Sequence, residues 1–179
     1  MVVKIRWAEP SDAPAIAAIH VRAWQAAYRG LLSDDYLDGL SIPDREVKWR
    51  LALTAQRERQ YALLALGKRR RPAGFASGGP CQDKGASSET GEIYAIYVEP
   101  DVVGTGVGRE LFARATGVLQ VRGFTSATLW VLEANERARR FYEAAGWWAD
   151  GSVTHERIDC QNLPTIRYRI DFESASPPD

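Results

Sequence analysis

The sequence predicts one mixed α/β (α+β) domain, and three observations carry that expectation. Alternating apolar segments at 60–79 and 152–172 sit either side of short turns, as antiparallel hairpins do. Between them, "EIYAIYVEP" (92–100), a glycine-rich turn, a helical stretch and "TSATLWVLEAN" (125–135) follow as strand, helix, strand, which implies a parallel crossover. At 179 residues the chain suffices for one buried core without metals or disulfides. The domain is expected over 1–172, with "ESASPPD" (173–179) as a disordered C-terminal tail.

From the start, "VKIRWA" (3–8) alternates like a strand. A helix follows in which Ser11 is the expected N-cap, Pro14 lies in the first turn, and Ile16, Ile19, Ala23 and Ala27 share the inner face. Gly30 ends it, and Ser33 caps a short second helix in "LLSDDYLDGL". "SIPDREVKWRLALTAQ" repeats the pattern, with Ser41 as cap and Val47, Leu51 and Ala55 expected inward. "QYALLAL" (60–66) and "AGFASGG" (73–79) form a hairpin whose tip carries the basic run Lys68–Arg71, read as a solvated end that discourages edge pairing. Residues 80–91 are small and polar, the composition of an exposed, mobile loop. After the glycines, Val107, Leu111, Ala115, Val118 and Leu119 make one stripe of a helix ending at Gly123. Asn135 caps a last helix that stops at Gly146, and a closing hairpin turns at "QNLP" (161–164).

Composition narrows the function. Lysine plus arginine number 23 and aspartate plus glutamate 23, so no net field favours nucleic acid or an anionic membrane as partner. Cys81 and Cys160 lack zinc-ligand spacing, which suits reduced thiols and predicts no metal. The beginning lacks signal-peptide character, and the expected location is the cytoplasm.

Gly104, Gly106 and Gly108, between a strand and a helix, present backbone N–H groups beside the positive end of a helix, a setting for a phosphate. A Walker loop requires a lysine that "GTGVGREL" (104–111) lacks. A dinucleotide fingerprint requires its third glycine where Arg109 stands, and its strand would run straight into the first glycine, whereas Glu99-Pro100-Asp101 intervenes. An ordinary flexible turn stays open on these residues alone.

The segment "EIYAIYVEPDVVGTGVGRELFARA" (92–115) resembles the acetyl-CoA binding core of the GNAT superfamily of N-acetyltransferases. "ATLWVLEANERARRFYEAAGW" (127–147) resembles the strand-helix block that follows it, and "IRWAEPSDAPAIAAIHVRAW" (5–24) the opening strand and helix. The resemblance implies a mostly antiparallel sheet of six or seven strands, flanked by helices, whose central parallel pair splays at the cofactor. It assigns the pyrophosphate to Val103, Gly104, Thr105, Gly106, Val107 and Gly108, and counts Arg109, Arg139 and Tyr142 among the residues that contact the coenzyme; Asn135 bonds the pantetheine or serves only as a helix cap, the two readings being equal. Val103 departs from the family pattern, which has glutamine or arginine there.

By the same resemblance, the Ile96 N–H polarises the thioester, Val98 pairs with the pantetheine amides, and Tyr142 is the general acid for the departing thiolate. Glu92 matches the strand glutamate that serves some members as base, and alternation places Glu92, Tyr94, Ile96 and Val98 on one side of the strand. A strand-end glutamate exposed to water is an equal reading of Glu92. "WQAAYRGLL" offers Trp24, Tyr28 and Arg29 to an acceptor, although Trp24 equally suits the core; Tyr36, His155 and Arg167 belong to the same wall by family analogy, with His155 read foremost as a surface strand residue. The expected activity is acetyl transfer from acetyl-CoA to a primary amine of a small molecule, by direct attack in a ternary complex. The expected state is a monomer or homodimer. A protein or peptide acceptor, and a non-catalytic acyl-CoA sensor, are the alternatives.

Overall fold

The computed structural model describes residues 3–55 and 57–172, so the expected tail at 173–179 lies outside the described residues. Seven strands form one mixed sheet in the order β1-β2-β3-β4-β5-β7-β6. They are β1 (Lys4–Trp7), β2 (Tyr61–Leu66), β3 (Pro72–Pro80), β4 (Thr90–Val98), β5 (Ser126–Leu132), β6 (Trp148–Ile158) and β7 (Gln161–Asp171). Only the β4–β5 pair is parallel. Helices α1 (Ala13–Tyr28) and α3 (Ile42–Thr54) pack on one face, α4 (Val107–Val121) and α5 (Glu136–Ala144) on the other, and the short α2 (Asp34–Asp38) lies beside α1.

The stripe of α4 behaves as its spacing requires: Val107, Leu111, Ala115 and Leu119 are fully buried against the sheet, together with Phe112. β2, apolar on both faces, is buried along its whole length, as a strand covered by helices on both sides must be. On the opposite face Ile16 and Ile19 meet Leu64 and Phe75. Truncating any one of these side chains to alanine removes about 2–5 kcal/mol. Ser33 and Ser41 cap their helices through the N–H groups of Tyr36 and Asp44, and Asn135 caps α5 through Ala138.

Four local expectations fail. The 3-10 turn Pro10–Asp12 precedes α1, so Asp12 rather than Ser11 stands at its N-cap and fixes the entry by pairing with Arg6 at 2.7 Å. In α3, Val47, Leu51 and Ala55 face solvent, because the competing stripe Trp49–Leu53 buries a larger surface against α1 and β3. The final hairpin turns at Asp159-Cys160, both with positive φ, in the two-residue geometry that matches strand twist, so Gln161–Pro164 belong to β7. Residues 84–89 are exposed as expected, but the start of this loop is tied down rather than loose. Asp83 accepts from Trp130 Nε1 (3.0 Å) and Arg167 (2.7 Å), and Gln82 N–H donates to Glu92 (2.7 Å).

Candidate active site

The parallel pair is joined at Thr90–Ser126, Gly91–Ala127 and Glu92–Thr128 and nowhere above. Beyond that point β4 stays with β3 and β5 stays with β7, so the sheet opens into a cleft of about 940 Å³. A bulge starts the opening. Ile93 opposes Gly78 while Ala95 opposes Ser77, which leaves Tyr94 as the extra residue. Its hydroxyl donates to Pro80 O at 2.6 Å and sits beside Gly79, where a Cβ would come within 2.8 Å of it.

The bulge reverses the alternation. Ile93, Ile96 and Val98 pack in the core under α4, whereas Ala95 and Tyr97 pack in the core under α1. Glu92 precedes the bulge and shares the α1 side, so it does not stand on the same face as Ile96 and Val98, contrary to simple period-two counting. The backbone consequence is larger. Glu99 N–H donates to Ala73 O, so alternation turns Tyr97 N–H toward β3 and the N–H groups of Ile96 and Val98 into the cleft. These groups face a gap where a sheet would normally supply a further strand.

Above this edge the chain passes through a 3-10 turn, Pro100–Val102, into the glycines. Gly104 (φ 82°) and Gly106 (φ 95°) adopt the left-handed conformation, which is strained for any other residue. A Cβ at either would touch no protein atom within 4 Å, so the space above them is open. Gly106 is the N-cap of α4, and the N–H groups of Val107, Gly108 and Arg109 begin the helix without intrahelical partners. Val103, Gly104, Gly106, Gly108 and Arg109 line the cleft. The Val107 side chain is fully buried beneath, and the Thr105 hydroxyl turns back to Val102 O at 2.7 Å, so either could offer a ligand only its backbone. Glu99, buried behind the turn, forms a bidentate pair with Arg22 that fixes the strand end.

From the other side, α5 brings Asn135, Arg137, Ala138, Phe141 and Tyr142 to the cleft. Tyr142 is buried among Phe112, Phe141 and Tyr168, and burial, assisted by Tyr28, raises its phenol well above the ordinary value and keeps it protonated. Arg139 points elsewhere: it donates to Tyr168 Oη and Glu133 O, and Arg137 occupies the cleft side instead. Two helical steps explain the miss, since residues 137 and 139 project about 200° apart.

Trp24 and Tyr28 line the cleft beneath α1, but Arg29 is bound to Asp34 and Asp38 at 2.8 Å each and does not line it. Tyr36 lines it as well. His155 is exposed, and Arg167 is held between Asp83 and Asp150, at 2.7 Å from each. Glu92 sits below the opening, where burial raises its carboxyl pKa despite the Gln82 N–H. Cys81, Asp83 and Glu92 place ligand-type atoms within 4.8 Å of one another, with both carboxylates already accepting hydrogen bonds. Sequence reasoning missed His20 and Arg45, which also line the cleft; the His20–Trp24 spacing of one helical turn was the available signal.

The model of the acetyltransferase (GNAT) family matches residues 15–147, the span that builds both sides of the splay. An uncharacterized N-acetyltransferase of Bacillus subtilis is 33% identical over 143 residues, covering 80% of this chain and 79% of that protein. Among solved structures, the fold is shared with the PaiA N-acetyltransferase of Thermoplasma acidophilum in complex with coenzyme A (TM-score 0.73, 18% identity, 96% of this chain and 100% of that one). It is shared too with the ribosomal-protein-S18-alanine N-acetyltransferase of Escherichia coli (TM-score 0.68, 21% identity, 98% and 97%).

Proposed function

The chain belongs to the acetyltransferase (GNAT) family and is an acyltransferase of that family; from this premise we propose that it transfers an acetyl group from acetyl-CoA to the primary amine of a small molecule. The observation that carries this reading is the splay itself, with Ile96 and Val98 N–H groups facing an open gap that ends at the left-handed glycines. An extended amide-bearing arm satisfies such an edge as an added strand would. A pyrophosphate suits the N-terminus of α4, held by the N–H groups from Gly104 to Arg109, with the Arg109 and Arg137 guanidiniums nearby. Asn135, whose side-chain oxygen accepts the capping hydrogen bond of α5, lines the cleft and is assigned to donate its amide N–H to the same arm.

In this mechanism the amine lone pair attacks the thioester carbonyl carbon while the Ile96 N–H stabilises the oxygen that gains charge. The C–S bond breaks, and the Tyr142 phenol gives its proton to the sulfur. Burial suits Tyr142 to this role because it holds the proton until a strong base, the thiolate, appears. Both substrates are present together, and no cysteine among the cleft-lining residues offers an acetyl-enzyme route. Glu92 lies beneath the opening and is assigned the amine proton only through intervening water. Among the described residues no helix is long and apolar enough to cross a membrane; a cytoplasmic monomer or homodimer is the proposed form. The test is thiol release from acetyl-CoA across a panel of amines. Turnover with small amines supports the reading, turnover only with peptide N-termini moves the acceptor to proteins, and binding without turnover leaves an acyl-CoA sensor.

A further inference from the structure

Three donor groups converge on the α1–α3 side of the cleft with no acceptor among them. Trp24 Nε1 is buried and completes no hydrogen bond, although the Tyr97 hydroxyl lies beside it. The Arg45 guanidinium lies 5.7 Å from the centre of the Trp24 ring and forms no ion pair among the described residues; Glu46, its acidic neighbour, is taken by Arg50 at 2.6 Å. The His20 ring is 5.9 Å from that of Trp24. Trp49 Nε1, which can only donate, gives its hydrogen to His20 Nδ1 at 3.1 Å. His20 is stacked on Tyr97 and neutral, so its proton sits on Nε2 and the ring presents another donor. An indole, a tautomer-locked imidazole and a guanidinium can all donate and none can accept.

An unsatisfied buried donor costs roughly 1–3 kcal/mol, so such a cluster calls for an acceptor from outside. The rest of the lining agrees in sign. Arg45, Arg109, Arg137 and Arg157 face the cleft, and Glu156 is its only carboxylate among the described residues. The cluster is separate from the glycine turn, since α1 and α3 cover the face of the sheet opposite α4.

We propose that Arg45, Trp24 and His20 form a carboxylate-binding subsite, so that the acceptor is an amino acid or amino-acid-like amine whose carboxylate is anchored there. This rests on the acetyltransferase reading of the same cleft and adds the acceptor's chemical class. A planar carboxylate takes the guanidinium fork on one edge and leaves lone pairs for the indole and imidazole N–H groups. Loss of the anion leaves these donors unpaired, which penalises an otherwise identical amine lacking the charge.

The experiment compares matched pairs, L-amino acids against their carboxamides and decarboxylated amines, by acetyl-CoA thiol release and by the 15N–1H shift of the Trp24 indole, assigned with Trp24→Phe. The acids are expected to show at least ten-fold higher kcat/KM than their partners and to move the indole peak. Arg45→Gln should erase that preference through acceptor KM while leaving KM for acetyl-CoA unchanged. Equal turnover of acids and carboxamides, or a preference that survives Arg45→Gln, overturns the subsite. An indole shift with acids but no thiol release from any amine keeps the subsite and overturns the acetyltransferase reading. The absence of both the indole shift and the acid preference overturns the subsite.

Discussion

The cleft has two unlike walls. The wall made by β4, the glycine turn and the start of α4 offers backbone: the N–H groups of Ile96 and Val98 and those at the head of α4, with apolar side chains turned into the core. The wall made by α1, α3 and the β6–β7 hairpin offers side chains from positions as distant as His20, Arg45 and Glu156. A backbone wall is specified locally, by a bulge, two left-handed glycines and a helix start. A side-chain wall exists only once remote elements have packed. On our reading the first wall holds the part of the reaction that is constant and the second selects the acceptor.

The largest effect is expected at Tyr142, which α5 brings between the two walls and which serves the constant part of the reaction. Tyr142→Phe keeps the ring packed against Phe112 and Tyr168 but removes the proton, so kcat should fall by about 10²–10⁴-fold with coenzyme affinity retained. Pre-steady-state acetyl transfer measured beside acetyl-CoA titration checks both halves, and an unchanged kcat would take Tyr142 out of the mechanism.

Next comes the electrostatic character of the side-chain wall. His20 is depressed from 6.5 to about 4 by burial, with Arg45 adding to the effect. The unfolded chain therefore binds more protons than the folded one between those values. The stability tied to the neutral ring is complete above pH 6.5 and is lost as pH falls toward 4, by at most about 3 kcal/mol. Urea unfolding at pH 7 and pH 4.5 measures this, and His20→Gln, whose side-chain oxygen can still accept from Trp49, should flatten the slope.

The backbone wall was legible because its signals are local. The strand "EIYAIYV", the turn glycines and the α4 stripe lie within 30 residues, and their conformational demands follow from residue type. The failures share a cause. The bulge at Tyr94 comes from its pairing with β3, which no count along β4 reveals, and it moved Glu92 to the other face. The exposed faces of Val47 and Leu51 reflect the larger burial available to Trp49. His20 and Arg45 became visible as cleft residues only after α1 and α3 were placed over the sheet, and Arg29, legible as a charge, is consumed by Asp34 and Asp38.

Smaller effects probe the turn. Gly106→Ala forces an alanine into the left-handed region at a cost of about 1–2 kcal/mol, which should weaken acetyl-CoA binding up to about ten-fold while amine selectivity persists. Calorimetric titration reads it directly. The smallest change is at Val103, a cleft residue with no polar group to offer. Val103→Gln adds one hydrogen bond toward a phosphate, and a gain of about 1 kcal/mol would tighten acetyl-CoA a few-fold; an unchanged or weakened Kd would mean that the backbone alone serves the site.

The central claim is that the unpaired edge of β4 above the bulge receives the coenzyme. Residue-resolved amide hydrogen exchange with and without acetyl-CoA tests it most directly. Ile96 and Val98 should gain protection on binding, while Tyr97, already turned toward β3, and Gly91, in the closed part of the pair, should not change. Binding that leaves Ile96 and Val98 exchanging as before would contradict the account.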